Sequence, residues 1–135
     1  MTAPTALTEE QTAFVTDRHL ATLTTLRADG SPHVVPVAFT WDAARGRVRI
    51  TTKVGSVKAR NVERAAAAGT PPRAAVCQVE GWRWLTLEGP ITLSRDPDEI
   101  AEAVEAYAAR YRPLEFQPER VVLHLDVDRV LGSVR

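Results

Sequence analysis

Apolar and polar residues alternate with a period of two along most of this chain, and shift to a helical period in three stretches. The alternation is clearest in HLATLTTLRADGSPHVVPVAFTWD, where it runs on both sides of Asp29-Gly30, a dipeptide that predicts a hairpin. A second turn in DAARGR leads into RVRITT, which predicts a three-strand meander. RAAVCQV and RWLTLEGPITLS read as two further strands about a tight turn at Glu80-Gly81. RVVLHLDVDRVLGS alternates once more and is expected to close the sheet.

The first helical stretch, LTEEQTAFVTDRH, covers roughly residues 8–17, with Thr8 as its N-cap and acids in its first turn. GSVKARNVERAAAA is the second, opened by Gly55-Ser56 and ended by Gly69 and Pro71-Pro72. DPDEIAEAVEAYAARYR is the third: Asp96 caps it, Pro97 takes the first helical position, and Ile100, Val104 and Tyr107 or Ala108 form an apolar stripe. These elements predict a mainly β fold spanning residues 1–135 as a single domain. About six strands joined mostly by hairpins argue for an antiparallel barrel with about three short helices, not a parallel βαβ sheet. Pro36 interrupts the second strand and removes a backbone donor there. It predicts a sheet edge, or a bulge with something other than a strand beside it.

Composition changes this picture little. A hydrophobic fraction of 44% and a charged fraction of 25% are those of an ordinary globular domain. No run approaches the ~20 apolar residues of a membrane-spanning helix. MTAPTALTEEQ lacks the basic start and apolar centre of a signal peptide, so the expected location is cytoplasmic. The one cysteine, Cys77, excludes an intramolecular disulfide and fits a reducing compartment. Within AAVCQV it reads as a small core hydrophobe and not as a nucleophile.

Charge adds more. Lys plus Arg equals Asp plus Glu, 17 of each, but the signs are segregated. From Arg45 to Arg73 there are eight basic residues and one acid, whereas from Glu88 to Asp128 there are ten acids and four arginines. Either the middle of the chain faces an anion, or the two halves neutralise one another in space. TTKVGSVKARN, residues 51–61, concentrates the question. A strand ends at Thr51-Thr52 and a helix begins near Ser56, so unbonded N–H groups and a positive dipole end meet hydroxyls and Lys58. That is phosphate-binding chemistry without the Walker spacing. A capped helix carrying a snorkelling lysine accounts for the same residues.

Other chemistry is sparse. His19, His33 and His124 show no metal-binding spacing, and no metal is expected. His33, just past the hairpin turn, is the one candidate for proton transfer, and His19 and His124 read as structural. Trp82 and Trp84 alternate on one strand, as barrel core and dimer packing or as an aromatic wall for a planar ligand. The zero net charge and the acidic second half argue against nucleic acid.

ATLTTLRADGSPHVVPVAFTWD, VRITTKVGSVKARN and WLTLEG, in that order, resemble the flavin and deazaflavin oxidoreductases of the pyridoxamine-phosphate-oxidase-like split β-barrel superfamily. The resemblance runs from about His19 to Gly132 and is strongest to actinobacterial coenzyme F420-dependent members, the F420-dependent biliverdin reductases among them. It implies a six-stranded, Greek-key split barrel of the FMN-binding type, a homodimer, and one elongated cofactor at each of two interface sites. Thr51, Thr52, Lys53, Ser56, Val57, Lys58 and Asn61 would then surround a phosphate, and Val35, Pro36 and Val37 would run beside a tricyclic ring. Gln78 and Trp84 match positions that reach the cofactor or the facing subunit. Where FMN-using pyridoxamine phosphate oxidases carry arginines, this chain has Val35 and Val57, which weakens a compact FMN phosphate site. The spread of Lys53, Lys58, Arg60 and Arg64 suits the longer anion of F420. The expected activity is hydride transfer from reduced F420 to a conjugated acceptor, biliverdin or another tetrapyrrole. The alternatives are an FMN-dependent oxidoreductase and a non-catalytic binder of deazaflavin or haem-like ligands.

Overall fold

The computed structural model describes residues 3–69 and 71–135. The leader-free start expected from MTAPTALTEEQ falls partly on Met1 and Thr2, outside the described residues. Helix α1 (Glu9–Thr16) begins at Thr8, whose hydroxyl accepts from the Gln11 N–H while the Gln11 side chain accepts from the Thr8 N–H. This reciprocal capping box satisfies donors that the first turn leaves unbonded. Phe14 and Val15 carry the helix into the core.

Strands β1 (Ala21–Leu26) and β2 (Pro32–Val37) form the predicted hairpin, turned by Gly30 at a φ of +84°. A three-residue strand, β3 (Thr40–Asp42), follows, then β4 (Arg47–Lys53), helix α2 (Val57–Ala67), β5 (Arg73–Glu80) and β6 (Arg83–Ser94). Helix α3 (Pro97–Arg110), β7 (Arg120–Asp126) and β8 (Arg129–Ser133) complete the described elements. All pairings are antiparallel, in the order β2-β1-β5-β6-β7-β4-β3, with β8 added on β6. The mainly β, antiparallel split-barrel class is thus as expected, with eight strands in place of six and an open sheet in place of a closed one.

Two local causes account for the extra strands. The run read as strand two breaks at Ala38-Phe39, where the Phe39 carbonyl accepts hydrogen bonds from the side chains of Arg110 and Tyr111. The continuation, β3, then pairs with β4 and not with β1, so the three-strand meander does not form. The final run likewise divides at Val127-Asp128. Its first part, β7, pairs with β4 and the far half of β6, and its second, β8, pairs with the near half of β6. Strand β6 therefore belongs to two half-sheets, and its bend falls at Gly89-Pro90.

The interior is built from Leu23, Phe39, Ile50, Leu87, Leu123 and their neighbours, all essentially without exposed surface. Alternation places Val76 and Gln78 of β5 inward and Cys77 outward, half-buried, so Cys77 is not the core residue its apolar context predicts. Trp82 and Trp84 are exposed as well and take no part in the barrel core. Helix α3 also departs from its pattern. Its buried residue is Ala103, and Ile100 and Val104 remain half-exposed. Strand β4 and the turn before it present Arg47, Arg49 and Arg45, and the helix meets them with Glu99 and Glu102 instead of its apolar stripe. No helix among the described residues is long and apolar enough to cross a membrane.

Gly89 makes the tightest approach of the glycines: a Cβ there would stand 1.8 Å from the Asp126 carbonyl oxygen. Neither strand can yield without breaking pairs. Gly89→Ala is expected to cost at least about 1–3 kcal/mol, a drop of several degrees in Tm by thermal denaturation. Gly55→Ala, which meets nothing within 4 Å, should leave Tm within about 2 °C.

Candidate functional site

Among the described residues strand β2 pairs with β1 alone, so its other edge has no strand beside it, as Pro36 predicts. Strand β4 pairs with β7 along Arg47–Lys53 but with β3 only through Arg47, Val48 and Arg49. Ile50 to Lys53 thus present a second strand edge without a strand partner. A hollow of about 320 Å3 lies against both edges, walled by Pro36, Val37 and Ala38 on one side and Ile50, Thr51, Thr52 and Lys53 on the other. Lys58 enters it from the first turn of α2. Tyr107, Leu114, Gln117 and Arg120 close the remaining wall.

The α2 start explains how Lys58 is placed. Ser56 is its N-cap, accepting from the Ala59 N–H at 3.3 Å, and the Thr52 hydroxyl donates to Ser56 Oγ at 2.9 Å. The strand end and the helix start are thereby locked together, and the N–H groups of Val57 and Lys58 find no acceptor in the described chain. Burial holds the Lys58 ammonium below the usual lysine pKa, and no carboxylate pairs with it among the described residues.

The segregated charge of the sequence resolves into two populations. Arg45, Arg47, Arg49 and Arg73 pair with Asp42, Glu99, Glu102, Asp126 and Asp128. Burial opposes ionisation of Asp42, but Arg45 and Arg49 outweigh it and hold its pKa below the ordinary value. Lys53, Lys58, Arg60 and Arg64 have no carboxylate partner among the described residues. Two of these, Lys53 and Lys58, line the hollow, and Arg120 stands opposite Lys53 in the β4–β7 register. The mutual neutralisation of the two halves accounts for half of the basic segment and stops at residues 51–61.

Of the residues singled out from sequence, Pro36, Val37, Thr51, Thr52, Lys53 and Lys58 line this hollow, and Ser56 adjoins it through Thr52. Val35 packs against the core. Val57 is exposed beside the helix start and outside the lining. Asn61 is buried in a different hollow, donating to Thr25 Oγ1 at 3.1 Å and accepting from Arg64 at 3.0 Å. Gln78 is interior and spends both ends of its amide on the protein, donating to the Phe14 carbonyl at 2.7 Å and accepting from Arg110 at 3.0 Å. Trp84 lies on β6 opposite Val79 and Ser133, away from the hollow. His33 is half-buried on β2 with an unpartnered Nδ1 and does not line the hollow either. Tyr107, Gln117 and Arg120 were not anticipated. Only Arg120 carried a signal, as a basic residue within the acidic second half.

The hollow suits an extended anion with a planar head. Two half-satisfied strand edges offer backbone partners to ring heteroatoms, Pro36 and Val37 offer an apolar wall, and Lys53 and Lys58 gather at the α2 end. This is the chemistry that an anionic flavin-like cofactor requires.

Residues 7–133 match the family described as pyridoxamine 5'-phosphate oxidase. Over 129 residues the chain is 46% identical to the F420H2-dependent biliverdin reductase of Mycobacterium tuberculosis (strain CDC 1551 / Oshkosh), covering 96% of this chain and 90% of that relative. The fold is shared with a conserved hypothetical protein from Mycobacterium tuberculosis, at a TM-score of 0.78 and 22% identity over 98% of this chain and 88% of the other. It is shared also with an F420 reductase, at a TM-score of 0.69 and 22% identity over 88% and 94%. The chain belongs to the pyridoxamine 5'-phosphate oxidase family.

Proposed function

We propose that this protein is an F420H2-dependent reductase that delivers hydride to a conjugated tetrapyrrole, with biliverdin, reduced to bilirubin, as the acceptor. The observation that carries the reading is Lys58, a half-buried ammonium without a carboxylate partner, set at a helix start in a hollow with two free strand edges. The relative that is 46% identical supports both F420 and biliverdin. Bound reduced F420 supplies the hydride; the protein's part is to hold it and to exclude water. Lys58, Lys53 and the α2 N–H groups would grip its phosphodiester, and Thr51 and Thr52 would add hydroxyl donors. Pro36 and Val37 would press on the ring, where the missing Pro36 N–H and the unpaired strand edge leave room for a ligand instead of a strand. The lost arginines at Val35 and Val57 leave FMN with the weaker claim. Val35, Val57, Asn61, Gln78 and Trp84 would contribute indirectly, through the strand, the helix or a facing subunit.

The protein is further proposed to act as a cytoplasmic homodimer. The outer face of β5, β6 and β8 exposes Val79, Trp84 and Leu131 around Trp82, which is 97% exposed. Such an apolar, aromatic face is costly in water and suits an isologous contact of at least ~1,000 Å2.

Two measurements check these proposals. Lys58→Ala should weaken F420 binding by roughly 10- to 150-fold, as expected for loss of a charge-assisted contact. Turnover at saturating F420 should change far less. Titrating FMN alongside F420 tests the cofactor, and equal F420 dissociation constants for wild type and variant at matched salt would refute the site. Light scattering of the wild type should give twice the 14.8 kDa chain mass, and Trp84→Glu should shift it toward the monomer. A wild type that is monomeric at micromolar concentration would remove the dimer.

A further inference from the structure

The stripe that α3 withholds from the core lines something else. Ile100 and Val104 form one wall of a groove of about 740 Å3, more than twice the volume of the cofactor hollow. Its other wall is the segment 114–119, which follows Pro113 and contains Pro118, two residues without the N–H groups that a helix or strand would use. Leu114 and Phe116 of that segment complete the apolar lining, and Phe116 is 90% exposed. The volume falls within the ~300–1,000 Å3 typical of small-molecule sites.

The groove is continuous with the cofactor hollow, because Leu114, Gln117 and Arg120 line both. Its charged residues are Arg95, Arg120, Glu115 and Glu119. Arg95 is already committed to Glu63 at 2.7 Å. Arg120 donates to the Glu115 carbonyl at 3.1 Å and has no carboxylate partner among the described residues. A single uncommitted guanidinium therefore stands at the junction of the two cavities. The carboxylates of Glu115 and Glu119 repel a polyanion, which disfavours an acidic cofactor tail in this groove. They leave room for a ligand that is apolar over most of its length and carries a carboxylate at the Arg120 end.

We propose that this groove is the acceptor subsite and that Arg120 is a specificity-determining residue, fixing a carboxylate side chain of a large conjugated acceptor. The apolar body of the acceptor lies along Ile100, Val104, Leu114 and Phe116, with one end directed into the cofactor hollow. The proposal rests on the F420 reductase reading for its catalytic sense, but the binding it describes stands apart from turnover.

The test uses biliverdin and its dimethyl ester, which lacks the carboxylates. Binding is followed by visible absorbance without cofactor, and KM is measured with saturating F420H2. Arg120→Gln should raise the biliverdin dissociation constant and KM by roughly 10- to 150-fold, leave those of the ester within about twofold, and change F420 affinity by less than about threefold. Val104→Glu, at a half-exposed position, should weaken biliverdin and ester alike, with a retained Tm showing that the variant folds. Failure of the wild type to bind biliverdin, or an unchanged constant in Arg120→Gln, overturns the subsite. So does a loss confined to F420 affinity, which would assign Arg120 to the cofactor. A change of oligomeric mass in Val104→Glu would make the groove an interface and overturn it too. Biliverdin binding with the expected Arg120 dependence but no hydride transfer would retain the subsite and refute the reductase reading instead.

Discussion

One strand carries two half-sheets, and the protein is built around the bend that makes this possible. Strand β6 pairs with β5 and β8 along its first part and with β7 along its last four residues, Ile91 to Ser94. At the changeover the Gly89 backbone lies against the Asp126 carbonyl with no space for a side chain. This contact turns the second half-sheet away from the first. The outer strands, β2 and β3, consequently end as separate edges, and the barrel stays split. The candidate hollow is that split, bounded by edges that no strand completes among the described residues.

A second constraint fixes the chain where β2 ends. Arg110, at the end of α3, lies over the Phe39 and Tyr111 rings and donates to the carbonyls of Phe39 and Asp17 and to Gln78. Burial lowers its pKa, yet a guanidinium remains charged, and carbonyl dipoles and ring faces take the place of a carboxylate. The Ala38-Phe39 bend it holds is the point where β2 leaves the hollow. Gln78 belongs to this arrangement, which explains why a polar residue sits inward on a core strand.

Electrostatics then divides the surface by function. The arginines of β4 are neutralised by α3 and by Asp42 and Asp126; α3 meets them with the partly exposed Glu99 and Glu102, and its apolar stripe lies over a groove. Lys53, Lys58, Arg60 and Arg64 receive no such partners among the described residues. The same folding event that uses up half of the basic segment leaves the other half free to meet an anion, and opens an apolar channel next to it.

Much of this was legible in the chain. The hairpin at Asp29-Gly30, the caps at Thr8, Ser56 and Asp96, the edge position of Pro36 and the cationic helix start at Lys58 follow from local chemistry, because each depends on residues within a turn of one another. Residues 51–61 could be read as a candidate anion site for the same reason. What local pattern did not reach was everything fixed by long-range pairing. Alternation shows that Cys77 and Gln78 face opposite sides, but not which side is interior; the packing of α1 and Arg110 decides that. It shows apolar spacing at Ile100 and Val104, but not that arginines on β4 would divert that face from the core. It cannot divide RVVLHLDVDRVLGS into β7 and β8, since the break is set by two partners on β6. Arg120 joins the site only because its strand pairs with Lys53 from the far end of the chain. The sequence determined the elements, their ends and the charge at one corner, because those energies are local. Tertiary structure decided which edges stay open and which charges stay unpaired, because these depend on contacts between residues distant in sequence.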